Sequence, residues 1–511
     1  MIRRNLLPPF ILVVSLLILY WHTLAPGLTW ANDGSDGGDL IAAAATGGVP
    51  HPTGYPLYLV VARVFQLLPI GSLAFRTNLL SAIATAAAAG LVYSLAAQAA
   101  SQSHKERDWI AGLAAGYAFG LAPLIWSQAV ITEVYALQSL LLAIVLRLYA
   151  VPAQSRPARR KGLDRWRGVA MGLAACNHVT IALLAPIAFV AGSIHRKAIA
   201  EDEQDIDTGG SWYGNLEINW GALLRQLVLF AAGLSLYLIL PIRALAQPPV
   251  SWGTVVTPAR LWWLVSGQLY QSYYLQFTLT DIWDRVQSWA VLLLQQFGLP
   301  GVILGLLGLI VFGKRLRLLM LTGWTAGIFT LFAIIYGSID SYVYLIPVFL
   351  SFSVWIGLGI AGVGHQFVRW SPMLKIGMLL LLLSYLAARS TINIQQVDAS
   401  NDVRAESFGR EVLSVVPENA ILFAEGDRSV FALWYFHFAL GERPDLAILA
   451  ADMLHFDWYQ ENLRATYPAL VVPGPFPWPE TIAEANASRP ICYVDYADHT
   501  TVNCTPGIAS P

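Results

Sequence analysis

Apolar stretches of about 20 residues recur along the chain, separated by short polar or basic segments. Each is long enough to cross a hydrocarbon layer as a helix. They lie near residues 6–24, 77–99, 109–127, 134–151, 221–241, 288–312, 317–337, 342–363 and 374–389. Residues 167–194 are longer, and Asn177, His178 and Thr180 interrupt them. Three polar side chains so close together predict a turn, so this run reads as two short crossings meeting at His178. The expected total is about eleven crossings. Residues 55–68 are apolar but short and carry Arg63, which suits an interfacial helix.

Basic residues test the count. Arg3–Arg4, Lys105–Arg107, the cluster Arg156 to Arg167, Arg196–Lys197, Lys314 to Arg317 and Arg369 all fall on one side. They do so only if 167–194 crosses twice, and the basic side is the cytoplasmic one. The expected topology therefore has a cytoplasmic N-terminus. The first loop, the segment 243–285 and the tail 390–511 are extracytoplasmic, and in a bacterium the membrane is the plasma or inner one. The opening run is too long for a signal-peptide core and ends at no A-x-A site, so it reads as an uncleaved span.

The tail is polar, with apolar runs at Ala420–Ala424 and Leu446–Ala450 that read as short buried strands. The expected fold is an all-α polytopic membrane domain over 1–389, followed by a small extracytoplasmic α/β domain over 390–511. Composition agrees. Charged residues make up 12%, half of the roughly 25% usual in soluble domains, and mean hydropathy is +0.56. The net charge of -1 gives no sign of a nucleic-acid partner, since no basic domain stands apart from the membrane flanks, and none is expected. Cys176 lies in an apolar run. Cys492 and Cys504 are close enough in the tail to bridge in an oxidising compartment or to remain free.

Candidate chemistry gathers at the expected outer face. The first loop reads Asp36-Gly-Gly-Asp39-Leu-Ile and then Gly48-Val-Pro-His51-Pro-Thr-Gly54-Tyr55-Pro56. Two carboxylates three residues apart share a face if a helix begins near Asp36. Such a pair can act as a general base or hold a divalent cation, or it can reflect the ordinary Asp and Gly content of loops. Glu133 and Tyr135 stand where one span ends and the next begins. Glu133 faces a polar cavity or complements a helix dipole. His178 is a cavity residue or a satisfied core histidine. Arg243 suits a phosphate by its planar fork or snorkels to the interface. Trp252, Tyr270 and Asp340 lie at further outer junctions. A pump more often distributes ionisable groups along a path at mid-membrane. A one-sided cluster is the pattern of a reaction site.

At these residues the chain resembles the protein O-mannosyltransferase-like family within the GT-C membrane glycosyltransferases. That family's first loop reads approximately Asp-Ser-Gly-Glu-Leu and His-Pro-Pro-Gly-Tyr-Pro-Leu. Here it stands as Asp36-Gly-Gly-Asp39-Leu40 and His51-Pro52-Thr53-Gly54-Tyr55-Pro56-Leu57. The resemblance continues through Arg76-Thr-Asn78, Trp126-Ser-Gln, Glu133-Val-Tyr135, Asn177-His178, Pro241-Ile-Arg243, Ser251-Trp252-Gly253, Gly267-Gln-Leu-Tyr270, Gly426-Asp427 and Arg443-Pro444-Asp445. It implies a polyprenyl-phosphate sugar as donor and transfer to an acceptor hydroxyl, with the acceptor itself unspecified and membrane lipids as surroundings. By that resemblance Asp36 is the base, and Asp39 assists or holds a metal where one is used. His51, His178 and Arg243 contact the donor phosphate. Tyr55, Glu133, Tyr135, Trp252, Tyr270 and Asp340 line the substrate site. Asp39 in place of Glu shortens the reach by one methylene, and Thr53 in place of Pro loosens the turn. The rival expectation is a transporter or flippase of a sugar-lipid, which predicts an internal repeat. None is evident.

Overall fold

The computed structural model describes residues 6–101, 108–150, 157–196, 216–275, 277–311, 316–367, 372–475, 477–496 and 500–507. Among the described residues, five helices are long and apolar enough to cross a membrane: Leu73–Ala100, Trp220–Leu245, Thr280–Ile310, Leu316–Ile335 and Ser341–Gly364. A sixth span results if Trp109–Gly120 and Pro123–Ala129, bent by 68°, are one broken span. Shorter apolar helices are Leu7–Thr23, Val134–Ala150, Val179–Ser193 and the expected interfacial helix Pro56–Gln66. The protein is integral to the membrane.

Breaks in the helices have local causes. Pro123 ends one helix because the residue before a proline avoids the helical region, and Ala122 is extended. The polar groups freed there find side chains. Asn393 Nδ2 donates to the Leu121 carbonyl at 3.1 Å, and Leu124 N–H donates to Gln296 Oε1 at 2.9 Å. In lipid such groups have no water to turn to. The helix Leu279–Val311 kinks at Gly298 (φ 62°), two residues before Pro300. Between helices, small residues allow close approach. Gly172 and Gly233 bring Pro157–Asn177 against Trp220–Leu234, a Cβ at either lying 2.8 Å from the other's Cα.

The turn at His178 is present. The helix Pro157–Asn177 ends there, His178 is extended, and the chain returns through Val179–Leu184 and Ala185–Ser193. Arg167 Nη1 donates to the Gly192 carbonyl at 3.1 Å, so the run starts and finishes at one level. Arg317 reaches the same level, donating to the carbonyls of Tyr149 and Ala191. The reversal expected at His178 is thus present. Of the basic residues used to orient the chain, Arg3, Arg4, Lys105, Arg107, Arg156, Lys197, Lys314, Arg315 and Arg369 lie outside the described residues.

At the opposite end the first loop, the segment after Leu245 and the tail fold together. Strands β1 (Ile194–Arg196) and β2 (Leu216–Ile218) form a separate antiparallel pair. The tail carries β3 (Ile421–Ala424), β4 (Ala447–Ala450), β5 (Ile491–Tyr496) and β6 (Thr500–Thr505), ordered β4-β3-β5-β6. β3 pairs in parallel with β4 and β5, and β6 closes the edge antiparallel to β5. The two runs expected as buried strands are β3 and β4, buried at every position. Cys492 and Cys504 face one another in the β5–β6 register and are joined as a disulfide. Asn486, which heads an Asn-Ala-Ser sequence, is buried. Its amide bonds the Val471 backbone in both directions, so it serves as a structural clamp.

The tail shares its hydrophobic core with the loop helices. Leu40, Val49, Tyr58 and Leu264 belong to the same buried cluster as Phe408, Leu422 and Phe431. Val49 N–H donates to the Val250 carbonyl at 2.9 Å, and Asn462 Nδ2 donates to the Pro248 carbonyl at 2.9 Å. Asp402 accepts from Thr29 Oγ1 at 2.6 Å and from the Trp30 N–H at 2.9 Å. Gly38 is the tightest point, where a Cβ would collide with the Phe431 carbonyl. Gly38→Ala is therefore expected to cost about 1–3 kcal/mol through overpacking. It should lower the unfolding temperature and open residues 405–502 to protease. An unchanged protease pattern would show that the two helices can part freely.

Candidate active site

The helix Gly37–Thr46 starts with Asp36 at its N-cap position and Asp39 in its first turn. The expected shared face is thus real, but the two carboxylates have different surroundings. Asp39 is fully buried. Its Oδ2 accepts from the His51 N–H at 2.9 Å and lies 2.7 Å from His51 Nδ1, while its Oδ1 accepts from Trp252 Nε1 at 3.2 Å. Asp36 keeps 37% of its side chain open, and its Oδ2 lies 3.5 Å from His51 Nε2. His51 therefore stands between a locked carboxylate and an open one. The turn that carries it depends on Gly54, at φ 84°, where a Cβ would also run into Leu240 and Leu264.

The electrostatics follow from this row of groups. Burial alone would lower the His51 pKa, but Asp36 and Asp39 outweigh it and raise the imidazole to about 9. Nδ1 is then a charged donor to Asp39. Asp36 is partly desolvated by the protein around it. Its surroundings, with Asp39 and Asp340 close by, push its carboxyl above the usual range against the pull of His51. Because the folded His51 pKa lies above the unfolded 6.5, protonation stabilises the fold fully below that pH. The contribution is lost as pH rises through about 9. The difference in unfolding temperature between wild type and His51→Asn should shrink over that window. A constant difference would place His51 in its neutral form throughout.

Of the other candidates, Tyr55, Glu133, Tyr135, His178, Tyr270 and Asp340 converge on the same place, and Arg243 is tied to it through the Gly48 carbonyl. Glu133 is buried, its Oε2 accepts from the Val134 N–H at 3.3 Å, and it interacts with Asp36 and His51. The Tyr55 ring lies 5.1 Å from His51 and 5.7 Å from His178, with its hydroxyl on the Pro52 carbonyl at 2.9 Å. His178 is ringed by Tyr55, Tyr135 at 5.6 Å and Tyr344 at 5.8 Å. Arg243 is half-buried and donates to the Gly48 carbonyl at 3.2 Å. Tyr270 interacts with Asp36 and Asp427. Asp340 is exposed at the rim and interacts with Asp36. Among the described residues no group of three acidic, His or Cys side chains suits a metal ion. Both Asp39 oxygens are already engaged by protein donors.

Three contributors are absent from the expected set. Phe431, in the tail helix Gly426–Trp434, stacks on His51 at 6.4 Å and 15°. Asp427, one turn earlier and open at the rim, is pushed up to about 6 by its partial burial and by Asp36. Asp33 accepts from the Tyr342 hydroxyl at 2.8 Å and lies 3.9 Å from Arg428. For Asp427 the available signal was the Gly426-Asp427 motif of the family resemblance. Other motif residues are structural. Arg76 donates to the carbonyls of Gln66, Ile70 and Gly71, and Asn78 donates to those of Ala25 and Gly27. Arg443 holds the carbonyls of Leu413, Val416 and Pro417.

A helical membrane body with an acidic turn at one end, closed over by a small α/β tail, has a counterpart among solved structures. ArnT from Cupriavidus metallidurans bound to undecaprenyl phosphate superposes with a TM-score of 0.61 at 14% identity, covering 98% of this chain and 99% of that one. Its apo form gives 0.55, covering 95% and 92%. The fold is that of the GT-C membrane proteins. Residues 36–200 match the protein O-mannosyl-transferase TMEM260 N-terminal domain, and residues 405–502 match the TMEM260-associated domain 2. The chain belongs to the protein O-mannosyltransferase-like family of that fold. It is 26% identical to the protein O-mannosyl-transferase TMEM260 of Mus musculus over 86% of its length. It is 25% identical to that of Dictyostelium discoideum over 91%. The chain spans about three fifths of the length of these relatives, 62% and 59%.

Proposed function

We propose that the protein is a membrane glycosyltransferase that moves a sugar from a polyprenyl-phosphate donor to an acceptor hydroxyl on the extracytoplasmic face, with Asp36 as general base. The observation that carries this reading is the asymmetry of the two carboxylates. Asp39 is closed off by His51 and Trp252, while Asp36 remains reachable beside a charged imidazole. The family membership and the undecaprenyl phosphate bound by the ArnT neighbour support the donor class.

In this mechanism Asp36 takes the acceptor proton as the acceptor oxygen attacks the anomeric carbon. The bond from that carbon to the phosphate oxygen breaks, and the polyprenyl phosphate leaves with the electron pair. A carboxyl raised above the usual range is a stronger base than an ordinary Asp. Asp39 fixes the ring of His51, and His51 with Arg243 offsets the charge growing on the leaving phosphate. Tyr55, Tyr135, Trp252, Tyr270 and His178 form the walls, and Glu133 and Asp340 set the field around the base. The exposed apolar surface at the end of the helix Pro56–Gln66, formed by Val64 and the capping Leu67, offers a lipid-side mouth for the prenyl chain.

The test is the purified protein in vesicles with a radiolabelled polyprenyl-phosphate mannose. The expected product is a new glycosidic bond to a hydroxyl acceptor. Movement of intact sugar-lipid across the bilayer without that bond would favour the flippase reading instead.

A further inference from the structure

Among the described residues Asp39 Oδ1 accepts one hydrogen bond, from Trp252 Nε1 at 3.2 Å. Trp252 opens a turn of three residues, Trp252–Thr254, in which Gly253 has φ 71°. Its backbone N–H donates to the Val49 carbonyl at 3.0 Å, which pins the main chain but not the ring. On such a turn a side chain is held in place by what packs on it. Here the packing comes from the tail. Trp458, buried on the helix Asp457–Thr466, lies with its ring centroid 5.6 Å from that of Trp252 and 31° between the planes, within the range of interacting aromatic pairs. The Trp458 carbonyl also accepts from Thr254 Oγ1 at 3.1 Å, so one tail residue grips the turn twice. The same helix is docked on the flanking chain. Glu461 takes Arg260 through both oxygens at 2.7 and 2.9 Å, and Asn462 Nδ2 donates to the Pro248 carbonyl at 2.9 Å. Trp458 Nε1 has no hydrogen-bond partner among the described residues. Its flat face is therefore what the turn uses, and Phe in its place loses no hydrogen bond.

We infer that Trp458 is a positioning residue for the transfer reaction: from the tail it holds the Trp252 indole on Asp39, and Asp39 in turn holds the His51 ring beside Asp36. The inference rests on the reading of Asp36 as base. Asp39 Oδ2 lies 2.7 Å from His51 Nδ1, and His51 Nε2 lies 3.5 Å from Asp36. A swing of the Asp39 carboxylate therefore re-aims the imidazole that faces Asp36. Misplacement by about 1 Å costs a reaction about 10²-fold. Trp458 touches no reacting atom on this account and acts through Trp252. The tail is then a working part of the site.

The experiment is a cycle of full-length variants in vesicles, with radiolabelled polyprenyl-phosphate mannose as donor and a peptide bearing Ser and Thr as acceptor. Trp458→Leu removes the flat ring and should lower kcat by about tenfold to a hundredfold, with KM for both substrates little changed. Trp458→Phe restores a ring and should retain most of the activity. Trp252→Phe removes the indole donor and should give a similar fall. Adding Trp458→Leu to it should then cost little more, because the route is already cut. An equal cost of Trp458→Leu in both backgrounds is the mark of a residue that only packs, and overturns the inference. Trp458→Met, which fills much of the space without a ring, replaces the leucine variant if that does not accumulate. A second readout is independent of turnover. The indole proton that Trp252→Phe deletes from the spectrum of tryptophan-labelled protein should exchange with solvent faster in Trp458→Leu and at the wild-type rate in Trp458→Phe. Unchanged exchange in Trp458→Leu overturns the inference. A wild type inert with this donor, or full transfer by Asp36→Asn, removes the functional reading and leaves the exchange rate to decide whether Trp458 holds the indole.

Discussion

Asp36→Asn is expected to reduce sugar transfer by about 10²–10⁴-fold, the range a positioned general base contributes. The change keeps the shape of the side chain and its place at the head of the helix Gly37–Thr46. Asn is itself a good residue at a helix N-cap, so accumulation and unfolding temperature should hold near wild type. The loss should appear in kcat more than in KM, because the proton is taken only in the transition state. Wild-type activity should also fall as pH drops, through an acid limb above that of an ordinary carboxylate, since the Asp36 carboxyl is raised. Transfer by Asp36→Asn at the wild-type rate would remove the base assignment.

The second large effect is on stability. Asp39→Ala removes the acceptor of the His51 N–H and of its Nδ1 in a fully buried position and leaves the ring with Asp36 at 3.5 Å, and breaking such a buried pair costs about 3–5 kcal/mol. It also frees the Trp252 indole N–H. The expected result is a protein that unfolds at markedly lower temperature and transfers little sugar. The double variant Asp39→Ala with His51→Asn should recover part of the stability and none of the activity. Equal destabilisation in the single and double variants would show that the two side chains do not depend on one another.

Much of this was legible in the chain itself. Two acids at i and i+3 after a Gly-rich stretch place a helix start, and a helix starts there. Asn177, His178 and Thr180 within an apolar run indicate a reversal, and the chain reverses. Continuous apolar runs in a polar tail give strands, and both form. Contacts between distant residues were not legible. Trp252 meets Asp39 across 213 positions, and nothing in the local pattern of either residue announces the other. Phe431 looks like any aromatic on the buried face of a short helix, so the tail's place beside His51 leaves no periodic trace. The different duties of Asp36 and Asp39 were hidden for the same reason, because burial is decided by what packs against the helix afterwards.

The common core of tail and first loop has a consequence for synthesis. Leu40 and Val49 are made early, whereas Phe431 and Leu422, which complete their cluster, emerge some hundreds of residues later. At about 5–20 residues per second, the nascent loop waits for tens of seconds with its apolar surface uncovered. The cluster closes only when those residues arrive. Truncation of the last hundred residues makes that wait permanent.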